Sequence, residues 1–411
     1  MTDYHHFTLD NGLQVYVIHD PNTPQAVTNI VYNVGSRDEQ PHKTGFAHLF
    51  EHLMFGGSKN IPSFDQPLQR VGGNSNAFTS PDITNYYIQI PAVNLETAFW
   101  LESDRMLSLS FDPRVLEVQR SVVIEEYKQR YLNQPYGDLW LKFRPLAYKE
   151  HGYRWPTIGA EVAHIEDATM DDVQAFFKRF YHPANATLVV GGPTPVEEVK
   201  KLAQKWFGPI AAGEPYHRNL PVEPTQTARR DLTVSAPVPV NTYYRGYHMP
   251  QRFTPGYHNA DLLSDVLGRG ESARLHQRLV NEHPLFNRIS AFVMGSLDPG
   301  LLMISGHLRP GVGFSEADAA VQEVVAELRS QPVTESELNK VKNQAESTLV
   351  LGQVELLSQC MSLAYAANAG FPDYPGRESA EIQAVNPDRL HQAAQEVLLE
   401  SNASVMYYQA N

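Results

Sequence analysis

The chain has 411 residues, 42% hydrophobic and 19% charged, which suits a globular protein with more than one core. Its formal charge of −13 argues against nucleic acid and anionic membrane surfaces as partners, because both need clustered Lys and Arg to displace counterions. The single cysteine, Cys360, excludes an intrachain disulfide and any cysteine-based metal cluster, so a metal would have to sit on His and carboxylate.

Two apolar runs flank Asp10-Asn11-Gly12, which predicts a hairpin over Phe7 to Ile18, and a strand follows from Ala26 to Val34. The apolar stretch Gly45 to Phe55 reads as one helix. Val71-Gly72-Gly73-Asn74 then breaks the chain ahead of paired strands at Ala77 to Thr79 and Thr84 to Ile90. Apolar residues at helical spacing predict a helix from Asn94 to Leu107, and Asp112-Pro113 opens another, as proline at the first helical position prefers. A helix at Asp171 to Phe180, a strand at Ala186 to Val190 and a helix at Pro195 to Trp206 complete the first half. No apolar run approaches the ~20 residues of a bilayer crossing. The N-terminus shows no basic region followed by an apolar stretch, so the expected compartment is cytoplasmic, or periplasmic if a signal peptide has been removed.

Within the first of these helices, His48-Leu49-Phe50-Glu51-His52 sets two imidazoles four residues apart, with a carboxylate just before the second. At ~3.6 residues per turn these positions share a face, so His48 and His52 can grip one cation while Glu51 points at the same spot. The order H-x-x-E-H is the inverted form of the H-E-x-x-H zinc peptidase motif. Five residues alone fit two ordinary helix-face histidines equally well.

The segment 208–230 is rich in proline and polar residues and reads as a linker, giving an N-terminal domain 1–210, a linker 211–230 and a C-terminal domain 231–411. The second half replays the first. Ala260 to Leu267 sits where Ala47 to Met54 sat, with Asp261, Ser264 and Asp265 in place of His48, Glu51 and His52. Leu302 to Leu308 echoes the strand ending at Ile90, and a helix from Thr334 matches that from Asp112. Two copies of one α+β unit, one metal-bearing and one blank, account for this.

Three blocks in order carry a family resemblance: GSRDEQPHKTGFAHLFEHLMFGG from Gly35, GGNSNAFTSPDITNYY from Gly72 and QRSVVIEEYKQR from Gln119. The chain resembles the pitrilysin/insulinase family of inverted-zincin metallopeptidases, nearest its bacterial and mitochondrial-processing-peptidase-like branch. The resemblance implies two homologous α/β-sandwich domains, each a mostly antiparallel sheet covered by helices, together forming half of a clamshell chamber. It implies one Zn2+ per chain, held by His48, His52 and a glutamate of the third block, with Glu51 as the catalytic base. Aligning Val122-Val123 with the family's aliphatic pair selects Glu126, and leaves Glu125 as a solvated acid. Three ligands leave one position open for water, whereas structural zinc sites take four. Two turns before Glu126, where relatives often carry a second glutamate, this chain has Gln119, which can hydrogen-bond in support of the ligands but adds no charge. Asn76, Ala77, Phe78 and Thr79 resemble the family's substrate-binding edge strand, although an ordinary hairpin with Asn in its turn fits the same residues.

Active relatives usually carry an arginine and, seven residues on, a tyrosine in the second half, where they clamp substrate. Val280 and Asn287 stand at those positions here, and no tyrosine lies between Tyr257 and Tyr365. The expectation is therefore a zinc-dependent endopeptidase for short or unfolded peptides that works as a heterodimer, its related partner lacking the zinc motif and supplying the arginine-tyrosine pair; otherwise it is a homodimer. The alternative is a noncatalytic scaffold or peptide-binding subunit.

Overall fold

Val15, Val17, Val27, Val31, Ile88 and Val189 have the β-branched side chains that suit a pleated surface, and all are buried in the first of two sheets. The computed structural model describes residues 3–411. Its strands are β1 (His5–Thr8), β2 (Gln14–His19), β3 (Gln25–Tyr32), β4 (Asn74–Thr79), β5 (Thr84–Pro91), β6 (Ala186–Gly192), β7 (Arg230–Ala236), β8 (Thr242–Met249), β9 (Phe286–Met294), β10 (Gly300–Leu308) and β11 (Ala403–Ala410). The helices that matter for the site and the cores are α1 (Phe46–Leu53), α2 (Leu95–Leu107), α3 (Pro113–Tyr127), α4 (Leu139–Ala147), α5 (Tyr257–Gly268) and α6 (Leu356–Asn368).

Two units divide the chain. The first comprises Met1–Arg130, His151–Pro221 and Leu351–Arg377; the second comprises Tyr131–Glu150, Val222–Val350 and Glu378–Asn411. The six-stranded sheet of the first runs β1-β2-β6-β3-β5-β4, and the five-stranded sheet of the second runs β7-β11-β8-β10-β9. Leaving aside β1, both sheets follow the same order: first strand, fifth, second, fourth, third. In both, the first pair is parallel (β2 with β6, β7 with β11) and the remaining pairs are antiparallel. α1 and α5 each follow the second strand of their sheet. The faint repeat in the sequence is thus a duplicated mixed α+β fold, and α5 is the counterpart of α1.

The units are not the contiguous halves expected from a division at 211–230. α4, sequence-adjacent to the first unit, belongs to the second, and α6, from the C-terminal half, belongs to the first. Packing explains the exchange. Cys360, Leu363 and Ala364 of α6 are buried with Val27 and Val31 of β3 and Val189 of β6. The approach is close enough that a Cβ on Gly191 would lie 2.5 Å from Cys360 Sγ. In the second unit a Cβ on Gly246 of β8 would lie 2.8 Å from the Phe143 ring of α4. Each sheet has a glycine in close contact with its borrowed helix. No single helix among the described residues is long and apolar enough to cross a membrane.

Candidate metal centre

α1 is short, and its start is fixed from outside the helix. Gly45, at φ 88°, occupies the left-handed region that only glycine enters freely, and a Cβ there would come 2.7 Å from the Ile158 carbonyl oxygen. The first-turn N–H groups have no acceptor within the helix and find one in Glu39, to which Gly45 N and Ala47 N donate at 2.9 and 2.8 Å. Burial outweighs those two donors and lifts the Glu39 carboxyl to about 8. Phe46, Ala47, Leu49, Phe50 and Leu53 are buried, leaving His48, Glu51 and His52 on the half-open face.

α3 supplies the third donor. Asp112 caps it by accepting from Arg114 N at 2.8 Å, Pro113 takes the first helical position, and the helix runs on into a π-helical turn at Lys128–Leu132. Glu126 Oε2 lies 3.7 Å from His48 Nε2 and 3.5 Å from His52 Nε2. These separations exceed an ordinary hydrogen bond. They are close to the edge of a tetrahedron built on zinc–ligand bonds of ~2.1 Å, which is ~3.4 Å. Among the described residues, His48, His52 and Glu126 are the only group of three or more His, Cys, Asp or Glu donors close enough to share an ion.

The protonation states suit a cation. Burial holds His48 down at about 4, helped by His52 and Arg130 and opposed by Glu126. Glu126 is held below the usual carboxylate range by its contact with His52 and by the nearby His48 and Arg130. A neutral His48 imidazole and an ionised Glu126 carboxylate therefore face each other, the forms in which these groups bind metal. His48 Nδ1 is buried with no hydrogen-bond partner among the described residues, so packing orients that ring.

The other predicted residues fall into place unevenly. Glu51 accepts a 2.7 Å hydrogen bond from the Thr79 hydroxyl; burial raises its carboxyl above the normal range and the Thr79 bond opposes that rise. Glu125 is solvent-facing and paired with Lys128 at 2.9 Å. Gln119 is half-buried on α3, but no hydrogen bond joins it to the three donors among the described residues. Asn76, Ala77, Phe78 and Thr79 lie on β4, the outer strand of its sheet, paired only with β5. Asn76 and Phe78 face outward, Phe78 being 38% exposed, while Ala77 and Thr79 are half-buried. Val280 lies in a helical turn at Gln277–Glu282, and Asn287 is on β9, donating to the Leu308 carbonyl at 3.3 Å. On α5, Asp261 and Asp265 replace the imidazoles; burial and the Asp265 charge push Asp261 up to about 6, and Asp265 pairs with Arg269 at 3.0 Å.

Sequence reasoning did not single out Arg130, which binds Glu126 Oε1 at 2.7 Å and so leaves Oε2 to the imidazoles. Its signal was present: an arginine four residues after the glutamate, the spacing of a helical ion pair. Glu39 carries no comparable signal, because it reaches α1 from a separate loop.

Known proteins place this geometry in context. Residues 14–139 match the family model described as Insulinase (Peptidase family M16), and residues 167–345 match the one described as Peptidase M16 inactive domain. The chain is 33% identical over 348 residues to "Zinc protease PqqE" of Helicobacter pylori, covering 82% of this chain and 77% of that one. A crystal structure of a Helicobacter pylori protease superposes over the full length of both chains with a TM-score of 0.92 at 27% identity. The periplasmic protease PqqL of Escherichia coli shares the fold at a TM-score of 0.83 and 20% identity, all of this chain matching 48% of that one. With a third of its residues shared across four-fifths of its length, and two family models matched in order, the chain belongs to peptidase family M16, the insulinase family.

Proposed function

We propose that the protein is a zinc-dependent endopeptidase acting on short or unfolded peptides, with His48, His52 and Glu126 as metal ligands and Glu51 as general base. The observation that carries this reading is the approach of two Nε2 atoms and one carboxylate oxygen, from helices far apart in sequence, to within 4.8 Å of one another. Family membership and the "zinc protease" in relatives' names support it. Bound zinc would supply an electrophile that acidifies water and polarises a carbonyl. Glu51 takes the proton of the attacking water and passes it to the departing amine, so no covalent intermediate is needed. β4 offers its free edge to the peptide backbone, which gives affinity with little demand on sequence. Gln119, on the same face of α3 as Glu126, supports the ligand helix without charge.

Replacing Glu51 by Gln should leave one zinc per chain and lower turnover by about 10²–10⁴-fold. Zinc content together with cleavage of an unstructured reporter peptide tests this, and an active Glu51→Gln enzyme would remove Glu51 from the base role. Because Val280 and Asn287 cannot donate as an arginine-tyrosine pair would, the active form is a heterodimer with a related chain that supplies the pair. The fold match to about half of the longer PqqL chain is in keeping with pairing. The second reading, a noncatalytic peptide-binding subunit, draws on the same two positions. Zinc-dependent cleavage that appears on adding the partner and vanishes with Glu51→Gln in this chain separates the two.

A further inference from the structure

β4 and α1 meet through one side chain. Thr79 is the last residue of β4, and the two-residue period of the strand turns it inward with Ser75 and Ala77 while Asn74, Asn76 and Phe78 face out. From that position its hydroxyl lies 2.7 Å from Glu51 Oε2 and 3.4 Å from the backbone oxygen of Ala47, one helical turn earlier in α1. Glu51 sits on the same helix face as both histidines, so the rotamer it adopts decides whether its carboxylate meets the reacting water.

We propose that Thr79 is a positioning residue for Glu51, holding its carboxylate in the rotamer that faces the metal ligands and serving both of its protonation states. The inference rests on the peptidase reading above. When Glu51 is ionised, the Thr79 hydroxyl donates to Oε2. When Glu51 carries the proton taken from water, the hydroxyl turns to donate to the Ala47 oxygen and offers its lone pair to the protonated carboxyl. The Thr79 proton never leaves its oxygen; the only proton moved is that of water, by way of Glu51, to the leaving amine. A hydroxyl, being donor and acceptor at once, can do this, and an aliphatic side chain of the same shape cannot. Since Thr79 ends the strand to which the peptide adds, the base is held by the same strand that holds the substrate.

The test compares Thr79→Val, which keeps the β-branched shape, with Thr79→Ser, which keeps the hydroxyl, in whichever form of the protein, alone or paired, cleaves an unstructured peptide. Thr79→Val should lower kcat by about 10- to 100-fold with KM within about twofold and zinc content unchanged, while Thr79→Ser stays within about threefold of the parent. A Thr79→Val enzyme with parental kcat overturns the proposal, as does a Ser variant as impaired as the Val variant. Crystal structures of the metal-free parent and Thr79→Val give a readout independent of turnover: the Glu51 carboxylate should leave its place in the variant, and a Glu51 that stays put refutes the role. If the parent cleaves nothing and Glu51→Gln changes nothing, the peptidase reading fails, and the position of Glu51 in the metal-free pair still decides the role of Thr79.

Discussion

The side chains that matter here are set by neighbours the chain brings from far away. Glu126 has one oxygen committed to Arg130, which lies 69% exposed, and the other turned to the imidazoles, so a flexible carboxylate is left with one useful orientation. The H-x-x-E-H face was legible, since helical spacing alone puts two histidines and a glutamate on one side, whereas spacing says only that one of Glu125 and Glu126 can face inward and the choice of Glu126 came from the family resemblance. The Thr79–Glu51 bond was not, because strand periodicity says which way a side chain points and not what it meets. Glu39 was equally hidden, and it makes a pH-dependent prediction. Its carboxyl titrates near 4.5 in the unfolded chain and at about 8 when folded, so between these values the folded state holds a proton that the unfolded state has lost. Its contribution to stability is therefore complete below pH 4.5 and declines as the pH rises towards 8. Glu39→Gln should flatten that decline. Melting temperatures of parent and variant across pH 5 to 8 that run parallel would show that Glu39 is not the group responsible.

Among the elements, the borrowed helices are the least expected. Alternating and helical periods mark β3, β5, α2 and α3 in the sequence, but local periods carry no information about which sheet a helix will cover, and α4 and α6 each cover the sheet of the other half. The close fit of α6 on β6 gives a sharp prediction. Gly191→Ala forces a methyl against Cys360 Sγ at 2.5 Å and Leu356 Cδ1 at 2.8 Å, and should destabilise the protein by about 1–3 kcal/mol, the usual range for overpacking. Cys360→Ala, itself a cavity-forming change, should cost less in the Gly191→Ala background than in the parent, because the sulfur and the methyl compete for one space. Denaturant melts of the four proteins in this cycle measure the coupling, and additive effects would mean that α6 shifts freely on the sheet.

At the level of the whole molecule, the order of strands in the two sheets is the same once β1 is set aside, yet only one copy of the repeat carries imidazoles at the ligand positions. The blank copy keeps Asp261 and Asp265 where the ligands would be and uses them differently, Asp265 in an ion pair with Arg269. The repeat was visible in the sequence as matching helices and strands, while the exchange of α4 and α6 between the compact units was not, since a proline-rich linker marks where the chain is extended and not which contacts it leaves behind. The first unit includes Leu351–Arg377, so a fragment ending at Pro221 should lack the cover over Val27, Val31 and Val189. Such a fragment should bind a hydrophobic dye and aggregate, and supplying residues 351–377 as a separate peptide should reverse both; a monomeric fragment that melts cooperatively without the peptide would contradict the packing described.

The placement of α6 also sets a timetable for synthesis. A ribosome delivers the zinc-motif sheet early, but the helix that seals one of its faces emerges only after nearly the whole second sheet has been translated. Until then a nascent chain displays an oily valine surface, and it needs a chaperone, or rapid completion, more than a protein of the same size built from two self-contained halves. Synonymous codons that slow elongation between the linker and α6 should lower the yield of soluble protein without altering a single residue.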